Sequence, residues 1–184
     1  MNKSLQNVIQ LNKLINHPYQ LVFDCSLSLF DRLTDFITKD HKFAIKPLEI
    51  KQWVNESVKV NLEIKSIDLG SPMNVVSGRI ETKLFLTCQN CLNIFENEMD
   101  IPVNITLCAD QNAYQGNKDY EPWEIEGCGV KIIDLIEELL LISIPLYVKH
   151  DDDKVCVIPK KPQTSNDLTT FPFANLKNQL NNDK

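Results

Sequence analysis

Val58-Lys-Val-Asn-Leu-Glu-Ile64 puts four apolar residues on one side of an extended chain and Lys59, Asn61 and Glu63 on the other. A period of two is the mark of a strand with one face on a core and the other in water. The pattern returns twice downstream. Val76, Ile80, Leu84 and Leu86 alternate with Ser77, Arg79, Glu81 and Lys83. Phe95, Met99, Ile101, Val103, Ile105 and Leu107 then alternate with Glu96, Glu98, Asp100, Asn104 and Thr106. The first link, Asp68-Leu-Gly-Ser-Pro72, has turn composition, and the second is a short break after Leu86. Three consecutive half-buried strands with short links predict an antiparallel meander.

After the meander, Gln111–Lys118 is a polar loop and Tyr120–Glu126 reads as a further short strand. Asp134-Leu-Ile-Glu137 has the form of a capping box, with Asp134 as N-cap, so a helix is expected over 134–143, ending before Pro145. Its apolar residues cover most of its circumference, which places it across the sheet and well buried. Before the meander, Leu21–Leu29 alternates like a strand, and Phe30, Leu33, Phe36 and Ile37 recur at helical spacing. Leu5–Ile15 fits either strand or helix. The expected architecture is α+β: an antiparallel β-meander packed by a capped amphipathic helix. One domain is expected over 1–148, with 1–57 unplaced, the sheet in 58–126 and the helix in 134–143. Residues 149–184 read as a flexible tail with a short terminal helix around Phe171-Pro-Phe-Ala-Asn-Leu-Lys177.

The 184 residues are 43% hydrophobic and 24% charged, which excludes wholesale disorder and a collagen-like chain. The net charge is −6, and Arg32 and Arg79 are the only arginines, a poor footprint for gripping phosphates. The charge is local: residues 119–138 hold seven acids and one base, and the rest of the chain balances. Such a field repels RNA and attracts a basic partner. Met1–Gln20 lacks an apolar core and a small-residue cleavage site, so no signal peptide is read. The most apolar stretch, Leu135–Ile144, contains Glu137 and Glu138 and falls short of a membrane span. A cytoplasmic location with no membrane partner is expected, and there cysteines serve as thiols or metal ligands rather than disulfides.

Cys88-Gln-Asn-Cys91 lies between two strands of the meander, where a C-x-x-C turn brings two thiolates to one side, as zinc requires. His150 and Cys156, after the helix, would complete a Cys3His site if the chain returns to that sheet edge. Two alternatives stand beside zinc: free thiols at a turn, and a redox pair. The redox pair fits less well, because such motifs open a helix. Cys25 falls on the apolar face of its strand and reads as core. Cys108 and Cys128 have no partner at ligand spacing. His17 and His41 are isolated and read as surface or loop residues. Glu121, Glu124 and Glu126 line a short strand and read as a solvated or partner-facing edge. Trp123 reads as core or as a partner anchor. Phe171 and Phe173 would dock on this chain or on another protein. Asp151–Asp153 lacks the spacing of a calcium loop. No phosphate loop, dinucleotide fingerprint or nucleophile–base set is present in the sequence.

From Cys88-Gln-Asn-Cys91 onward the sequence resembles the YceD family, the large ribosomal RNA subunit accumulation proteins. Four features carry the resemblance, in order over Val58–Lys177. The first is the strand into the paired-cysteine turn, Leu84-Phe-Leu-Thr-Cys-Gln-Asn-Cys91. The second is Tyr120-Glu-Pro-Trp-Glu124 followed by Ile133-Asp-Leu135. The third is Ser143-Ile-Pro145 with His150 and Cys156 after it, and the fourth is Pro172-Phe-Ala174 with Leu176-Lys177. The resemblance implies a non-enzymatic bacterial factor needed for synthesis, processing or stability of 23S ribosomal RNA. The expected partners are a ribosomal protein or a large-subunit assembly intermediate, with ribosomal RNA as a further option. The competing expectations are a zinc-stabilised adaptor unrelated to ribosomes and a small RNA-processing enzyme.

Overall fold

A computed structural model describes residues 8–10, 18–68, 72–108, 119–125, 129–150 and 156. Its centre is the expected meander, formed by β3 (Ser57–Asp68), β4 (Pro72–Thr87) and β5 (Ile94–Cys108), each antiparallel to the next. The register sets Val60 opposite Ile80 and Ile80 opposite Ile101, so the three apolar faces form one surface. The strand read at Leu21–Leu29 is β2 (Tyr19–Ser26), antiparallel to β3. It gives way at Leu27–Leu29 to a 3-10 turn started by the Ser26 hydroxyl, which accepts the Ser28 N–H at 3.2 Å. β6 (Glu121–Glu124) joins β5 in parallel, so the sheet order is β2-β3-β4-β5-β6. The meander pattern alone does not foresee this edge. The twelve residues from 109 to 120 are long enough for the return that a parallel pair needs. A second, two-stranded sheet pairs β1 (Val8–Gln10) with β7 (Gly129–Lys131).

Two helices cover the apolar face of the sheet. α1 (Asp31–Asp40) buries Leu33 and Ile37, and α2 (Ile132–Ile142) buries Ile132, Leu135, Ile136, Leu139 and Leu140 in the same core. The opposite face of the sheet is polar and carries cross-strand pairs such as Arg79–Asp100 at 2.9 Å and Lys83–Glu96. Gly78 has φ +142° opposite Leu62, and a Cβ there would lie 2.1 Å from the Asn61 carbonyl oxygen. β3 and β4 approach there in a way that only glycine allows.

The capping box does not form. β7 runs directly into α2, so the helix starts two residues before Asp134, with Lys131 at the N-cap and no side-chain cap. Asp134 sits in the first turn, 3.7 Å from Lys131. Glu137 turns away to a different helix. Its Oε1 accepts the N–H groups of Arg32 (2.7 Å) and Leu33 (3.1 Å), and its Oε2 accepts Arg32 Nε at 2.9 Å. α1 has Phe30 at its N-cap and no side-chain cap of its own, so a carboxylate from α2 satisfies its orphan donors. His41 is also not a surface residue. It is buried at the end of α1, with Nε2 2.8 Å from the Phe85 carbonyl and its ring edge-on to the fully buried Trp53 at 5.5 Å. Helical spacing stops short of His41, so its burial was invisible without the sheet. No helix among the described residues is long and apolar enough to cross a membrane.

Candidate metal centre

The turn between β4 and β5 is set from both sides. At the end of α1 the Asp40 carboxylate accepts the Thr87 N–H at 2.6 Å, and its carbonyl accepts the Thr87 hydroxyl at 3.1 Å. This fixes β4 immediately before Cys88. The turn then closes on itself, with Leu92 N–H donating to the Cys88 carbonyl (2.8 Å) and Cys88 N–H donating to the Asn93 carbonyl (2.9 Å). Leu92 takes φ +57°, a left-handed conformation that costs roughly 1–2 kcal/mol for a non-glycine residue. The two closing bonds offset it. Ile45 N–H donates to the Leu92 carbonyl at 2.8 Å, holding the segment after α1 against the turn.

The chain after α2 lies along the other side. Gln89 N–H donates to the Val148 carbonyl (2.9 Å), Gln89 Nε2 to the Leu146 carbonyl (3.2 Å), and the Tyr147 hydroxyl bonds Asn90 Oδ1. This return brings Cys156 to the turn. The ligand atoms of Cys88, Cys91 and Cys156 all lie within 4.8 Å of one another, and the Cys88 and Cys156 sulfurs are 3.6 Å apart. Cys88 and Cys91 are fully buried and Cys156 is half-buried.

The environment favours thiolate at one position. Burial pushes the Cys88 thiol up, but the backbone N–H groups of Cys91, His150 and Asn90 aim at its sulfur and outweigh burial, bringing it to about 7. Burial and the hydrogen bonds it gives to Cys88 and Cys91 push the Cys156 thiol up to about 11. Asn93 Nδ2 donates to the Cys91 sulfur at 3.6 Å. Three converging sulfurs, one of them cradled by backbone donors, make a group that could hold a metal ion. With zinc–sulfur bonds of about 2.3 Å, a tetrahedral centre sets sulfurs about 3.8 Å apart. The 3.6 Å separation is close to that value and far from a disulfide bond.

The structure brings Cys88, Cys91 and Cys156 together but does not bring the His150 imidazole into the group. His150 is present through its backbone N–H. Its ring lies on Phe95, with centroids 4.5 Å apart, and its Nε2 is buried with no partner. The other candidates lie elsewhere. Glu121 and Glu124 are exposed at the two ends of β6, on the sheet edge. Trp123 between them is half-buried against the core, and its carbonyl accepts the Cys108 thiol at 3.5 Å. Trp123 also borders a shallow cleft with Val130, Leu135, Lys131, Asp134 and Glu138. Cys25 packs against the core, where burial first and then Asp24 push its thiol up to about 11. His17, Glu126, Cys128, Asp151–Asp153, Phe171 and Phe173 lie outside the described residues. The sequence reading missed Asn93, Asp40 and Thr87 as supports of the turn. Asn93, two residues past a C-x-x-C, was the one legible signal, as a side-chain donor within reach of the second sulfur.

The fold and this group define a small α+β protein, a helix-covered, mostly antiparallel sheet with a cysteine centre at one hairpin end. The chain belongs to the family described as large ribosomal RNA subunit accumulation protein YceD, whose model matches residues 76–181. The match begins in β4 and takes in α2, His150 and all three clustered cysteines. No curated protein and no solved structure matches the chain.

Proposed function

We propose that this protein is a non-enzymatic factor in ribosome biogenesis, acting in the cytoplasm and needed for synthesis, processing or stability of 23S ribosomal RNA. The observation that carries the reading is membership of a family named for accumulation of the large ribosomal RNA subunit. It works by binding a ribosomal protein or a large-subunit assembly intermediate. The exposed β6 edge, with Glu121 and Glu124 flanking Trp123, is the surface best suited to a basic partner. Glu126, Phe171 and Phe173 extend the same reading to residues beyond those described. The test is sucrose-gradient profiling of cells lacking the gene. Reduced 50S particles and reduced 23S RNA are expected. A normal profile would overturn the reading in favour of an adaptor unrelated to ribosomes.

The Cys88, Cys91 and Cys156 group is best read as a zinc centre of the structural kind. Its sulfurs are mostly buried, and it ties together segments far apart in sequence. Zinc would supply cross-linking there rather than chemistry. Metal analysis of purified protein should find one equivalent of zinc, absent from the Cys88→Ser variant; protein purified without zinc loss and still metal-free would sink this reading.

A further inference from the structure

If the cysteine group holds zinc, as proposed above, its three sulfurs leave one corner of a tetrahedral site to fill. The backbone N–H of His150 reaches the Cys88 sulfur, so this residue adjoins the group. Its Nε2 is buried with no hydrogen-bond partner, an arrangement that costs free energy until something meets it. The contact that holds the ring aside is the stack on Phe95, which a rotation about the Cα–Cβ bond can release. Among the described residues, polar side chains of the turn are already used: Asn93 donates to Cys91, Asn90 accepts from Tyr147, and Gln89 donates to Leu146.

In the chain after α2, Leu146 and Tyr147 are exposed, Val148 is a buried apolar anchor, and hydrogen bonds to Gln89 and Asn90 tie it to the turn. We propose that His150 Nε2 is the fourth ligand, and that the resulting Cys3His zinc centre is a clasp holding the chain after α2 on the β4–β5 turn. Two ligands come from the turn and two from the returning chain, so the metal joins segments far apart in sequence. Loading releases the thiol protons as the sulfurs bind. It also decides where the exposed Leu146–Tyr147 step and the chain beyond it are presented.

The experiment uses the full-length protein with cobalt(II) replacing zinc, in wild type, His150→Ala and His150→Cys. Wild type should show the absorption of a tetrahedral three-sulfur, one-nitrogen field. His150→Ala should lose that field and weaken zinc binding by at least the roughly 10–100-fold that outer-shell partners cost. His150→Cys should restore tight binding with a four-sulfur spectrum, which a misfolded protein would not do. Trypsin supplies the second readout, because Lys149 is exposed beside His150. Cleavage after Lys149 should be slow in zinc-loaded protein and several-fold faster after chelation. An unchanged cobalt spectrum and zinc affinity in His150→Ala would overturn the fourth ligand. Unchanged cleavage on chelation would overturn the clasp. Wild-type protein that takes up neither zinc nor cobalt would instead overturn the underlying zinc reading.

Discussion

Against burial, backbone N–H groups and then the contact with Cys156 lower the Cys88 thiol, while burial and then the contact with Cys88 raise the Cys156 thiol. If the group holds zinc, as proposed, its uptake is pH-dependent. Metal and protons compete for the sulfurs, so affinity must fall as pH falls. Cys156, at about 11, still holds its proton at pH 8, so at least one proton is released on binding there. Below about 7 Cys88 also takes up a proton, and the metal must then displace a second. Zinc affinity, measured by chelator competition at pH 6, 7 and 8, should therefore rise with pH, most steeply in the lower interval. A flat profile would mean the three thiols are not the ligands. C-x-x-C spacing made the pairing of Cys88 with Cys91 legible, and Cys156 was reachable by supposing that the helix returns the chain. The position of the His150 ring was not legible, because a stack on Phe95 depends on a contact across 55 positions.

Between elements, the tie that matters most is the carboxylate of Glu137. Period-two reading located β3, β4 and β5, because alternation is a property of each strand alone. Helical spacing located α1 for the same reason, while α2 was located by a capping pattern and the stop before Pro145, which set its start two residues late. A cap borrowed from another helix is not local, and the local pattern around Asp134 pointed to the wrong donors. Glu137 and Glu138 both touch Arg32, yet their predicted contributions differ. Glu138 pairs with Arg32 on the surface, with both side chains about half exposed, a contact worth about 0–1 kcal/mol. Glu137 is only 11% exposed at its side chain and accepts two backbone N–H groups at the start of α1 as well as the guanidinium. Losing a cap and a charge-assisted bond together costs about 2–3 kcal/mol. Glu137→Ala should therefore lower Tm by roughly 4–12 °C in a chain of this size, and Glu138→Ala by roughly 0–4 °C. Equal shifts for the two variants would mean that the cap is not the source of the difference.

At the scale of the whole molecule, the acidic stretch of residues 119–138 is smaller in space than in sequence. Arg32 meets Glu137 and Glu138, and Lys131 lies 3.7 Å from Asp134, so at least three of its acids face a base. Among the described residues, Glu121 and Glu124 are exposed on the β6 edge on either side of Trp123. Linear charge counting located the segment correctly but could not see Arg32, which is about a hundred residues away. If a basic partner docks at β6, the attraction comes mainly from these two carboxylates. At about 1 kcal/mol per exposed pair at most, reversing both charges should weaken binding by roughly 5- to 30-fold in low salt. The loss should shrink as salt is raised and the Debye length falls below about 10 Å. The measurement is capture of purified large-subunit assembly particles by Glu121→Lys/Glu124→Lys protein, against an Asp24→Lys/Glu56→Lys control, at low and high salt. Asp24 lies on β2 and Glu56 just before β3, away from β6, so their reversal makes the same change in net charge without changing this edge. Equal loss in both variants would assign the effect to net charge alone. Loss confined to the β6 variant and erased by salt would assign it to the edge.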